Sequence, residues 1–158
     1  MSGFALVPRV LGVDFGHARI GVAVSDELGM LAHPLETIPG ARLHAAAKRI
    51  AELAREKHVQ QVVLGLPRHM NGDAGSAAAD VKAFADKLRP LLPCPVLLWD
   101  ERLSTTAAHR ALRDAGQKTR RTKGVVDQVA AQMILQGYLD SRQSSGGGGA
   151  FDHVDPLG

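Results

Sequence analysis

The chain has 158 residues, 45% of them apolar and 22% charged, with a formal net charge of +3 and one cysteine, Cys94. Such a chain buries roughly two thirds of its unfolded surface in one ordinary core, and the composition excludes a disordered protein. A lone cysteine excludes an internal disulfide and a cysteine-based zinc centre, no apolar run approaches the ~20 residues of a membrane span, and Met1–Pro8 lacks the pattern of a signal peptide, so a cytoplasmic protein without membrane association is expected.

The first forty residues read as β structure. Val10–Val13 is a short apolar run that ends at Asp14, and Ile20, Val22 and Val24 alternate with Gly21, Ala23 and Ser25 in the period of a strand. Phe15–Arg19 between them is short enough for a tight hairpin. A weaker third strand is expected around Leu31–Ile38, interrupted by Pro34. Leu43, Ala47, Ile50 and Ala54 share one helical face. Gln61–Gly65 is a short buried strand, followed by a turn-rich loop, Leu66–Gly75. Ala77, Val81, Phe84 and Leu88 mark a second helix that stops at Pro90 and Pro93, and Val96–Trp99 is another buried strand. A third helix is expected over Thr105–Ala115, capped by Ser104 or Thr105 and ended by Gly116. Gln117–Lys123 reads as a polar, basic, mobile connector, and Val125–Leu139 as a fourth helix. Ser141–Gly149 is Gly/Ser-rich and reads as disordered, which leaves a single domain over 1–143 and a tail over 144–158. The order β-β-β-α-β-α-β-α-α predicts an α/β fold, a mixed central sheet with helices on both faces.

Three carboxylates sit where stability alone would not place a charge. Asp14 ends one apolar strand, Asp100 and Glu101 end another, and Asp127 lies at the edge of the last helix's apolar stripe at about 100° per residue. Each has a bland reading: a turn contact for Asp14, an ion pair with Arg102 for Glu101, and a first-turn dipole contact for Asp127. Together they suit hard divalent cations, which take oxygen ligands, and a metal site of this kind activates water and stabilises the leaving oxygen of a phosphodiester. Adjacent strand residues point to opposite faces, so only one of Asp100 and Glu101 reaches such a site.

The basic residues cluster. His109–Lys123 carries Arg110, Arg113, Lys118, Arg120, Arg121 and Lys123 against one acid, Asp114, the pattern of a surface that binds a phosphate backbone. The loop Gly65–Gly75 offers Arg68, His69 and Asn71, either to grip a strand or to connect two elements. His17 reads as a hairpin-tip residue rather than a proton shuttle, and Trp99 as core. Only 4% of the chain is aromatic, which favours phosphate contacts over base stacking.

Four segments resemble one family: Leu11–Asp26 (LGVDFGHARIGVAVSD), Val62–Gly75 (VVLGLPRHMNGDAG), Trp99–Thr105 (WDERLST) and Lys123–Leu135 (KGVVDQVAAQMIL) look like the YqgF/RuvX family, in order and spacing, over roughly Arg9 to Ser141. Members are described as Holliday-junction resolvases and as pre-16S ribosomal RNA nucleases. The resemblance implies a ribonuclease-H-like fold and a metal-dependent nuclease. It places the metal-binding catalytic site on Asp14, Glu101 and Asp127, choosing Glu101 over Asp100, with Mg2+ or Mn2+ as cofactor. It also brings Arg102, Ser104 and Thr105 to the substrate side, where they join Arg68, Arg110, Lys118, Arg120, Arg121 and Lys123 as expected nucleic-acid contacts. The partner is RNA, branched DNA or both, and symmetric junction cutting would require a homodimer. The alternative reading is a nucleic-acid-binding factor in ribosome assembly that performs no turnover. A phosphate-binding fold of the actin and sugar-kinase type, which the D-F-G hairpin also resembles, needs two such domains, and 158 residues are too few.

Overall fold

The computed structural model describes residues 9–66, 75–100 and 120–144. Their period-two and helical patterns resolve into five strands and three helices. In chain order these are β1 (Arg9–Asp14), β2 (Arg19–Ser25), β3 (Ala32–Pro39), α1 (Leu43–Glu56), β4 (Val59–Leu66), α2 (Gly75–Leu88) with a 3-10 turn at Arg89–Leu91, β5 (Val96–Asp100) and α3 (Arg120–Ser144). The sheet order is β3-β2-β1-β4-β5, so β1 is central. β2 and β3 pair antiparallel as a meander, and β4 and β5 run parallel to β1, with Val13 beside Leu64 and Leu64 beside Leu98. This is the expected mixed sheet.

Both faces of the sheet are covered, and the alternation sorts the side chains between them. Leu11, Val13, Ile20, Val22, Val62, Leu64 and Leu98 point to the side of α1 and α2, where they meet Ile50, Leu53, Val81, Phe84 and Leu88. Val10, Ala23, Val63 and Trp99 point to the other side and pack on Ala131, Ile134, Leu135 and Leu139 of α3. Removing this much apolar surface from water on two faces is the main force that fixes strand register.

α3 lies unusually close to the sheet because its face of β1 and β2 carries small residues. A Cβ on Gly12 would stand 2.6 Å from Leu135 Cβ and 3.1 Å from the Ala131 carbonyl oxygen. A Cβ on Gly21 would run into the backbone carbonyl of Asp127. Three glutamines spaced four apart then join α3 to the β3 edge. Gln128 Nε2 donates to Thr37 Oγ1 at 3.0 Å, Gln132 Nε2 to the Ala32 carbonyl at 2.9 Å, and Gln136 Nε2 to the Met30 carbonyl at 2.8 Å. Gln136 Oε1 in turn accepts from the Ala32 amide.

Two expectations change. Pro34 does not interrupt β3, because the strand is at the sheet edge and its register shifts between Val22 and Ala23, which seats Pro34 opposite Ala23. The last helix is longer than Val125–Leu139. It takes in Arg120–Lys123, expected to be part of a mobile connector, and Ser141–Ser144, expected to be tail. An apolar stripe in a sequence locates only the apolar stretch of a helix; polar residues at either end leave no such signal. The expected helix over Thr105–Ala115 and the tail beyond Ser144 lie outside the described residues.

Candidate active site

β1, β4 and β5 end at the same edge of the sheet, and antiparallel β2 begins there. In open α/β sheets ligands bind beyond the carboxyl ends of the strands. Asp14 is the last residue of β1 and pairs with Gly21 of β2. Val10 and Gly12 contact α3, so alternation puts Asp14 on that same face. Gly21, opposite Asp14, touches the backbone of Asp127. Thus a strand pairing and a missing Cβ bring together two carboxylates far apart in sequence. Both are buried, Asp14 to 3% and Asp127 to 5% relative exposure, within a core otherwise almost wholly apolar.

Asp127 does not occupy a first helical turn. α3 begins at Arg120, so Asp127 is two turns in and the helix-dipole reading of this aspartate no longer applies. Its partner is Arg19, the first residue of β2, whose Nε donates to Asp127 Oδ2 at 2.6 Å. Arg19 shares the face of Gly21, Ala23 and Ser25, and its side chain is one-third exposed. The sequence reading missed this residue. Its signal was present, since an arginine in phase with the small residues of a strand is aimed at the layer they receive.

Asp100 ends β5 opposite Leu66. Leu98 packs with α1 and α2 and Trp99 with α3, so alternation turns Asp100 away from the face of Asp14. Trp99 is core as expected, edge-on to Tyr138 at 5.5 Å between ring centres. His17 is tied to the opposite layer. Its Nε2 lies 2.9 Å from Asp80 Oδ2 on α2, and its ring meets Phe15, which stacks on Phe84. That supports the hairpin-tip reading and leaves His17 on the side of the sheet away from Asp127.

Glu101, Arg68, Arg102, Ser104, Thr105, Arg110 and Lys118 lie outside the described residues. Arg120, Arg121 and Lys123 fall in the first turns of α3, on the helix that carries Asp127. Among the described residues no three His, Cys, Asp or Glu side chains group as a metal site. Two of the three expected carboxylates are described, and those two share a face and an edge.

Comparison with known proteins agrees with this architecture. The family described as "RuvX: Holliday junction resolvase" matches residues 8–141. A Streptomyces avermitilis protein named "Putative pre-16S rRNA nuclease" is 48% identical over 139 residues, 87% of this chain and 89% of its own length. One of the same name from Chloroflexus aggregans is 47% identical over 135 residues, 85% of this chain and 95% of its own. Among solved structures, T. thermophilus RuvC in complex with a Holliday junction substrate superposes with a TM-score of 0.53 at 15% identity, covering 88% of this chain and 98% of that one. The fold is therefore ribonuclease-H-like.

Proposed function

The chain belongs to the RuvX Holliday junction resolvase family and is a nuclease; we propose that its phosphodiester hydrolysis depends on a divalent metal, Mg2+ or Mn2+, held by Asp14, Glu101 and Asp127. The observation that carries this reading is the burial of Asp14 and Asp127 on one face at the carboxyl edge of the sheet, with Gly21 between them. Carboxylate oxygens are the donors that hard divalent ions take, and an ion shared by two buried carboxylates would offset the cost of placing them side by side. Asp100 faces the other layer; Glu101 is assigned to the site on the family resemblance. A metal bound there supplies a water of lowered pKa and charge stabilisation at the phosphate. The chain's own part is to hold the carboxylates rigidly on a strand end and a packed helix.

The start of α3 supports substrate binding. It carries Arg120, Arg121 and Lys123 and has no acid in its first turn. Cations at the positive end of a helix dipole oppose the helix, and a bound anion reverses that sign. We assign these residues, with Arg68, Arg102, Ser104, Thr105, Arg110 and Lys118, to the phosphate backbone. RNA is the substrate class we favour, because the relatives near half identity are named for ribosomal RNA, while the likeness to junction-bound RuvC is one of fold. The activity belongs in the cytoplasm on this reading, and among the described residues no helix is long and apolar enough to cross a membrane.

The test offers an end-labelled precursor ribosomal RNA fragment and a four-way DNA junction to wild type, Asp14→Asn, Glu101→Gln and Asp127→Asn, with Mg2+ or Mn2+. The expected result is metal-dependent RNA cleavage that each substitution abolishes. Full activity of Asp14→Asn with metal present would overturn the assignment. Symmetric cutting of the junction would instead require two sites, and the mass of the active species in solution would then be that of a dimer.

A further inference from the structure

Arg19 holds Asp127, and its position suits a second task as well. We propose that Arg19 exchanges partners: it is the counter-ion of Asp127 in the metal-free protein, and metal binding displaces it onto a phosphate of the nucleic acid. The inference rests on Asp14 and Asp127 being metal ligands.

The geometry supports both halves. Asp127 is buried, and an ionised carboxylate out of water requires a partner. Arg19 supplies it through Nε at 2.6 Å. A divalent cation on the same carboxylate takes over that neutralisation and repels the guanidinium beside it, so the two cations compete for one group. Arg19 also has somewhere to go. It opens β2 directly after the exposed turn residues His17 and Ala18, and a third of its side chain is already accessible. Its head group leaves a buried carboxylate for solvent at the sheet edge without crossing the core. Guanidinium stays charged at any working pH, and its planar fork matches a phosphate in a two-point contact. Loading of the metal would thereby arm the site for its anionic substrate.

A static positioning role for Arg19 gives the opposite sign in experiment. If Arg19 only orients Asp127, its removal weakens metal binding, as loss of outer-sphere partners does. If it competes, its removal tightens metal binding. The first measurement is Mn2+ binding without nucleic acid, followed by the spin-resonance signal of the free ion, for wild type, Arg19→Gln, Arg19→Lys and Asp127→Asn. Arg19→Gln is expected to bind Mn2+ roughly tenfold more tightly, the scale on which such partners act, and Arg19→Lys to fall between it and wild type. Weaker or unchanged binding in both Arg19 variants overturns the exchange. Unchanged binding in Asp127→Asn overturns the metal site itself, which is a separate failure. The second measurement needs no variant to fold differently. The Nε–H resonance of Arg19 in wild type, assigned by its loss in Arg19→Lys, is followed as Mg2+ is added. It is expected to be protected without metal and to lose that protection as the site fills; protection that persists at saturating Mg2+ overturns the proposal.

Discussion

Gly21→Ala tests whether the close seat of α3 on the sheet builds the proposed active site. A Cβ at this position would lie well inside contact distance of the Asp127 carbonyl oxygen and carbon, and 3.1 Å from the Gln128 amide nitrogen. All three are backbone atoms of a helix and cannot rotate away, so α3 must shift by about 1.5 Å to restore ordinary contact at ~3.5 Å. Overpacking of this kind costs roughly 1–3 kcal/mol, offset by the ~0.5–1 kcal/mol that alanine gains over glycine within a strand. The net expectation is a loss of about 1–2 kcal/mol, read as a lower midpoint in urea. Activity should suffer more. If Asp14 and Asp127 hold the metal as proposed, displacement of one from the other by more than ~1 Å is expected to lower turnover at least about 100-fold, the penalty of a misplaced catalytic group. Gly12→Ala is the control. Its Cβ would meet Leu135 Cβ and the Ala131 carbonyl, one to two turns further along α3. A similar stability loss with a smaller loss of turnover is expected there. Wild-type turnover in Gly21→Ala, at any stability, would refute the argument that this contact sets the distance between the two carboxylates.

Replacing Arg120, Arg121 and Lys123 with Ala should weaken binding of single-stranded RNA and flatten the slope of log affinity against log salt by about 0.7 for each phosphate these side chains neutralise; an unchanged slope in a salt titration reduces this end of α3 to solvated surface. Arg49 hydrogen-bonds both oxygens of Glu36 at 2.8 Å and holds its carboxyl below the usual range, against an opposing contribution from burial. A depressed folded pKa gives stability that is present above the unfolded value and is lost as pH falls through the folded one. Glu36→Gln should therefore cost up to ~1 kcal/mol at neutral pH, since the pair is about one-third exposed, and urea titrations of the two proteins should converge in acid below the ordinary carboxylate range. His58 follows the α1 C-cap with φ 56°, a left-handed conformation, and its amide donates to the Arg55 carbonyl. His58→Gly should leave cleavage unchanged and stabilise the fold by about 0.5–1 kcal/mol, as a gain in thermal midpoint; a lower midpoint would count against strain at this turn.

The parts of the fold legible in the sequence are those where one physical rule acts alone. β1, β2, β4 and β5 declared themselves because burial on one face or both writes a period that no loop imitates. β3 was harder, since Pro34 argues against a strand unless the strand is known to be an edge, and edge position is a property of the whole sheet. The ends of α3 were illegible for a related reason. Arg120–Lys123 and Ser141–Ser144 lie outside the apolar stripe of the sequence, and polar residues leave no periodic signal that marks a helix. Within the site, Asp14 and Asp127 stood out as charges set into apolar patterns. Arg19 did not, because an arginine next to a hairpin turn reads as surface until the opposite layer is in place. Gly21 explains why that layer matters. In the sequence it is one more glycine in an alternating strand, whereas in the fold its missing Cβ admits the backbone of Asp127 next to Asp14. The proposed site therefore depends on an absence that only three-dimensional contact reveals, and the Gly21→Ala and Arg19 variants probe the two contributions that pattern reading could not supply.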